Sequence, residues 1–121
     1  VENVSSIIHD KRIPITYRTA ALVYMKGYVT VTEVARLFGK HRGDTRRFLE
    51  KLVAGRVLKR IRYRDDPEFY RRYGIHKRAF VYLLNEKEWE YIKERIRRIR
   101  ERDIERDLVP STRIIAKRTI I

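Results

Sequence analysis

Between Arg36 and Arg78 the chain carries 15 Lys and Arg against 5 Asp and Glu, a local surplus of +10 out of +14 for all 121 residues. Of the 30 cationic side chains, 21 are Arg. A guanidinium is planar, keeps its charge at physiological pH and offers N–H donors in a fork that meets two oxygens at once. Such a cluster is suited to charge-assisted hydrogen bonding with a polyanion. At a pI near 10.4, nucleic acid is the expected partner, ahead of an acidic protein or a membrane face. Other chemistries lack their residues. Cys is absent, and His9, His41 and His76 have no metal-ligand spacing. Asp65, Asp66 and Glu68, with Lys77 nearby, come nearest to a metal-dependent nuclease site, yet a turn around Pro67 accounts for them. There is no Ser-His-Asp arrangement and no glycine-rich phosphate loop, so no catalysis, metal or cofactor is expected.

A chain of this length is expected to form one domain with one modest core. Its charged fraction of 38% is well above the usual ~25%. No apolar run approaches the ~18 residues of a membrane span, and no signal-peptide pattern opens the chain. The expectation is a soluble cytoplasmic, nucleoid-associated protein. Gln and Cys are missing, Met occurs once and Asn twice, a depletion of thermolabile residues that points to a thermophilic source, archaeal or an archaeal virus.

Periodicity divides the rest. Residues 1–13 show no period and read as an N-terminal arm. From Pro14, the residues Tyr17, Ala20, Ala21, Tyr24 and Met25 recur at helical spacing and predict a first helix ending at Gly27. Tyr28 and Val29 form an extended bridge. Thr30 and Glu33 make a capping box that starts a second helix over Val31–Phe38, and Gly39 turns the chain. A third helix begins at His41 or Arg42, with Thr45, Phe48, Leu49, Leu52 and Val53 on one face, and ends at Ala54-Gly55. Val57 to Tyr63 alternates apolar and basic residues like a strand, with Arg60 and Arg62 outward. Ala79 to Leu84 is its hairpin partner across a long basic loop. Asn85 is placed to cap a last helix, where Trp89, Ile92, Ile96 and Ile99 follow the 3, 4, 3 spacing of a coiled-coil seam. Ile104 and Leu108 extend that stripe only after a shift of phase. Pro110 ends the helix, leaving a basic tail over 110–121.

This order of elements, over Pro14 to Leu108, resembles the winged helix-turn-helix transcription regulators, particularly archaeal, MarR-like or ArsR-like ones. The resemblance is carried by VTVTEVARLFG from Val29 to Gly39, by Leu49 and Leu52, and by AGRVLKR from Ala54 to Arg60. Lys40, Gly43 and Thr45 depart from the common pattern. It implies an α+β fold of three helices and a β-hairpin wing over 14–84, followed by a long C-terminal helix over 85–109. It further implies that the third helix lies in the major groove of DNA, presenting His41, Arg42, Gly43, Arg46 and Arg47, while the wing contributes Arg60, Arg62, Arg64, Arg71, Arg72, Lys77 and Arg78. Arg42, Arg46 and Arg47 would donate to guanine edges or to phosphates, and the wing cations chiefly to phosphates. Phe69 and Tyr73 either pack the loop down or meet nucleic acid.

The function expected is therefore double-stranded DNA binding by a homodimeric transcription regulator, with Trp89, Ile92, Ile96 and Ile99 as the dimer seam. The same residues are compatible with a DNA-coating architectural, replication or segregation protein, or with an RNA- or protein-binding winged helix. The seam also has a monomeric alternative, in which it covers the first helix. If the compositional reading is right, thermal unfolding followed by circular dichroism will have its midpoint above ~80 °C, well beyond the usual range of mesophilic domains.

Overall fold

Gly27, Gly39 and Gly74, all at positive φ, end three helices in the computed structural model, which describes the backbone from residue 4 to 108 and side chains to residue 102. The order is α1 (Val4–Ile8), α2 (Ile15–Lys26), α3 (Val31–Phe38), α4 (Arg42–Ala54), β1 (Leu58–Ile61), α5 (Pro67–Tyr73), β2 (Val81–Leu84) and α6 (Glu86–Leu108). The predicted first, second and third helices are thus α2, α3 and α4. The architecture is α+β. The 110–121 tail and the side chains of Ile104 and Leu108 lie outside the described residues.

The N-terminal segment is not an arm. Val4–Ile8 is helical and packs on α2, burying Ile7, Ile8 and Ile13. Five residues are too few to show a period, which is why the pattern was silent. Helix α2 is the centre of the core, buried continuously from Thr19 to Val23. Ala20 and Ala21, both fully buried, leave room for neighbours to approach closely. The predicted face was offset toward its end: Tyr24 and Met25 are half exposed, while Leu22 and Val23 are inside. Tyr24 instead stacks on Trp89 of α6, ring centroids 4.4 Å apart.

The capping box of α3 forms with a variation. The Thr30 hydroxyl accepts from the Glu33 amide at 3.4 Å and lies 3.3 Å from Glu33 Oε1, and the same carboxylate pairs with Lys26 of α2. Gly39 then takes the left-handed conformation at φ 63° that α4 needs to fold back across α3. In α4, Leu49 and Leu52 face the core, and buried Thr45 satisfies its hydroxyl on the His41 carbonyl at 2.9 Å. That bond explains how a polar residue sits at an apolar position. Beyond α4 the positive φ belongs to Arg56, at 63°, and not to Gly55. The Asn85 amide holds the Arg56 carbonyl at 2.8 Å instead of capping α6.

Strands β1 and β2 pair antiparallel, with Leu58 opposite Leu84 and Arg60 opposite Tyr82. They are shorter than predicted because the Tyr70 phenol of α5 reaches the carbonyls of Ala79, at 2.5 Å, and Ile61, at 3.2 Å. Val29 bridges Tyr82 from the other side, through amide bonds of 2.9 and 3.0 Å, and this docks the hairpin on the α2–α3 connection.

Trp89, Ile92 and Ile96 are 5%, 1% and 0% exposed within the single chain, and Ile99 packs against the same core. The apolar seam predicted to join two copies is filled by this chain's own core, with α6 lying on α2. The outer face of α6 carries ion pairs, Glu90 with Lys93 and Glu94 with both Arg97 and Arg98. Truncating Ile92 or Ile96 to Ala is expected to cost about 2–5 kcal/mol. The loss in melting temperature should be the same across a wide range of protein concentrations, whereas a concentration-dependent loss would return these residues to a subunit interface.

Candidate nucleic-acid interface

The first turn of α4 is shaped by His41, whose Nδ1 accepts the Gly43 amide at 3.1 Å as the helix N-cap. Gly43 matters here for space: a Cβ would stand 3.3 Å from that nitrogen. The absence of a side chain here leaves room for the imidazole cap. With Nδ1 accepting, the neutral ring carries its proton on Nε2, a donor available to an anion.

The three arginines of α4 are held differently. Arg42 is exposed. Arg47 donates to Asp44 one turn back at 2.5 Å, and its guanidinium holds the Asp44 carboxyl below the ordinary carboxylate range. Arg46 lies over the Phe80 ring, 5.1 Å from its centroid, and no carboxylate pairs with it among the described residues.

Arg60 is a correction. The period of two along β1 puts it on the same face as buried Leu58, turned toward α4 and not outward. There it pairs with Glu50 and lies 5.0 Å from the Phe80 centroid. Glu50 also accepts from the Tyr82 phenol at 2.7 Å. A carboxylate from α4, a guanidinium from β1 and a phenol from β2 thus lock the helix to the hairpin.

The wing differs from a free loop. Asp66 caps α5 by accepting from the Phe69 amide at 3.1 Å, and Pro67 occupies its first turn. Asp65 accepts from the Arg62 amide at 2.8 Å. Asp65 and Asp66 therefore serve local backbone geometry. Buried Tyr70 anchors α5 to the loop-side end of the hairpin, and its phenol is pushed above the ordinary value, first by burial and then by the Asp65 charge. Phe69 and Tyr73 pack with Tyr28 at centroid distances of 5.4 and 5.2 Å, so these aromatics hold the loop to the body. Arg62, Arg64, Arg71, Arg72, Lys77 and Arg78 remain exposed, with Lys77 over the Tyr63 ring at 5.1 Å and Arg71 3.5 Å from the Tyr63 hydroxyl.

Between the first turns of α3 and α4 and the segment linking α5 to β2 runs an open groove of about 730 Å³. Arg42, Arg46, His76 and Arg78 line it over a floor that includes Tyr28 and Phe80. His76 Nδ1 accepts the Arg78 amide at 3.1 Å, the same arrangement as at His41. The structure therefore brings Arg42, Gly43, Arg46 and Arg78 together, turns Arg60 inward, and leaves the remaining wing cations spread over α5 and its flanks. His76, Phe80, Glu50 and Tyr82 were missed from sequence. His76 carried a weak signal in the basic run His76-Lys77-Arg78; the other three carried none.

No protein-family model matches the chain, and no curated protein matches it. Among solved structures it is similar to a cysteine-to-serine mutant of MarR from E. coli complexed with operator DNA. The TM-score is 0.55 at 14% identity, covering 98% of this chain and 86% of that one. The fold is a MarR-like winged helix with a long C-terminal helix.

Burial, the Glu50 bond and the Glu50 charge all raise the Tyr82 phenol well above its ordinary 10.0. Because the folded value exceeds the unfolded one, the stability it contributes is complete below pH about 10 and declines as pH rises past that point. Tyr82→Phe is expected to lose about 1–2 kcal/mol at neutral pH. Denaturant melts at several alkaline pH values should show a shallower decline in the variant than in the wild type.

Proposed function

We propose that the chain is a duplex DNA-binding transcription regulator that lays α4 in the major groove and reads bases with Arg42 and Arg46. The observation carrying this reading is the positive groove on the α4 face of a winged helix, where two arginines of the first turns point at the same opening as Arg78 and His76. Support for the class of partner comes from the operator DNA bound by the similar structure and from the surplus of +14. Arg47, tied to Asp44, is assigned to phosphate contact, and so are Arg62, Arg64, Arg71, Arg72 and Lys77. Arg60 drops out of the contact set as a structural residue. The unit proposed is one chain on one half-site; a second copy would join through surfaces other than the Trp89–Ile99 stripe. The Gln-free, Arg-rich composition supports a thermophilic source.

Selection of bound sequences from a random duplex pool tests this reading. An enriched motif is the expected result, and a palindromic one would mark two-fold assembly. No enrichment, with equal affinity for all duplexes, would point to a coating protein. With about six phosphate contacts, log K against log salt should fall with a slope of about −5. Arg72→Ala should reduce that slope by about 1 and weaken all duplexes alike. Arg42→Ala should cost about 1–3 kcal/mol on the selected site and relax preference at one position. Duplex binding insensitive to salt would defeat the proposal.

A further inference from the structure

The arginines around the interface differ in what they leave free. A guanidinium held by a carboxylate has an N–H edge occupied. One stacked on an aromatic ring gives up its face and keeps its edges in plane and open. Arg47 is of the first kind, bound to Asp44. Arg60 is both, bound to Glu50 and stacked on Phe80. Arg46 is of the second kind, restrained by the Phe80 ring at 5.1 Å. Bidentate recognition of guanine O6 and N7 requires two open donors held in one plane. Arg46 thus combines open donors with a ring beneath its guanidinium.

We infer that Phe80 is the positioning residue for sequence readout, a ring that presets the Arg46 guanidinium for a guanine edge. Resting on the proposal that Arg46 reads a base, this names what makes its reading selective. Phe80 immediately precedes β2 and lies two residues before Tyr82, on the same side of the hairpin. Its own placement is set by a chain of contacts. Tyr82 donates to Glu50, Glu50 pairs with Arg60, and Arg60 lies 5.0 Å from the Phe80 centroid. The wing therefore contributes to specificity from behind the recognition helix, through an uncharged residue.

The test uses the full chain, its selected duplex and the same duplex with the guanine pair facing Arg46 replaced. Phe80→Leu keeps apolar bulk and removes the π face. Discrimination between the two duplexes should fall about three- to tenfold, with the salt slope unchanged because no charge is lost. Phe80→Tyr should restore discrimination. In the free protein, nitrogen relaxation of the Arg46 Nε–H should show an ordered group in the wild type and in Phe80→Tyr, and a mobile one in Phe80→Leu. This readout needs only a folded protein; should Phe80→Leu fail to fold, Phe80→Met takes its place. If Arg46→Ala leaves discrimination intact, base reading by Arg46 is wrong. If Arg46→Ala abolishes discrimination while Phe80→Leu keeps both discrimination and Arg46 order, the role of Phe80 is overturned and base reading stands.

Discussion

The bond between the Tyr82 phenol and the Glu50 carboxylate joins α4 to the hairpin. Tyr82 is fully buried, bridges Val29 through its backbone, and faces Arg60 across the hairpin. Glu50 accepts from both side chains. Helix α4, the hairpin and the strand-like link before α3 therefore meet at Tyr82. A carboxylate in such a place carries a desolvation cost that its two donors offset together. Removing either donor leaves Glu50 with one partner fewer.

What was legible in the sequence was local. Thr30 with Glu33, Gly39, and the spacing of Leu49 and Leu52 are signals confined to four or five residues, and they located α3 and α4 because caps and amphipathic faces act at that range. The contacts that organise the site are not local. Glu50 and Tyr82 lie 32 residues apart, and nothing in either neighbourhood announces the other. Helix α5 had its signals, Asp66 before Pro67 and Gly74 after the last turn. Asp66 and Pro67 read as a turn because Asp-Pro serves turns equally well, and Gly74 alone does not identify a helix end. The Trp89–Ile99 stripe shows the limit of periodicity: a 3, 4, 3 pattern says that one face must be covered, and the covering surface can be the same chain. Here α2 supplies it.

Net charge hides a division of labour that the geometry exposes. Arg60, Arg97 and Arg98 belong to ion pairs within the fold, whereas the cations of the groove face one opening. The +14 total therefore overstates what a partner meets at close range, although all of it contributes to the long-range field that draws in a polyanion.

The anchoring of α5 has a thermodynamic consequence. Tyr70 ties together the two strands where they enter the loop, and Phe69 and Tyr73 pack α5 against Tyr28, so the wing is ordered before any partner arrives. Little apolar surface is left for it to bury and few backbone torsions for it to freeze on association. If DNA is the partner, as proposed, association should show a small negative heat-capacity change, with favourable entropy from released counterions. A wing that ordered only on contact would carry the opposite signature.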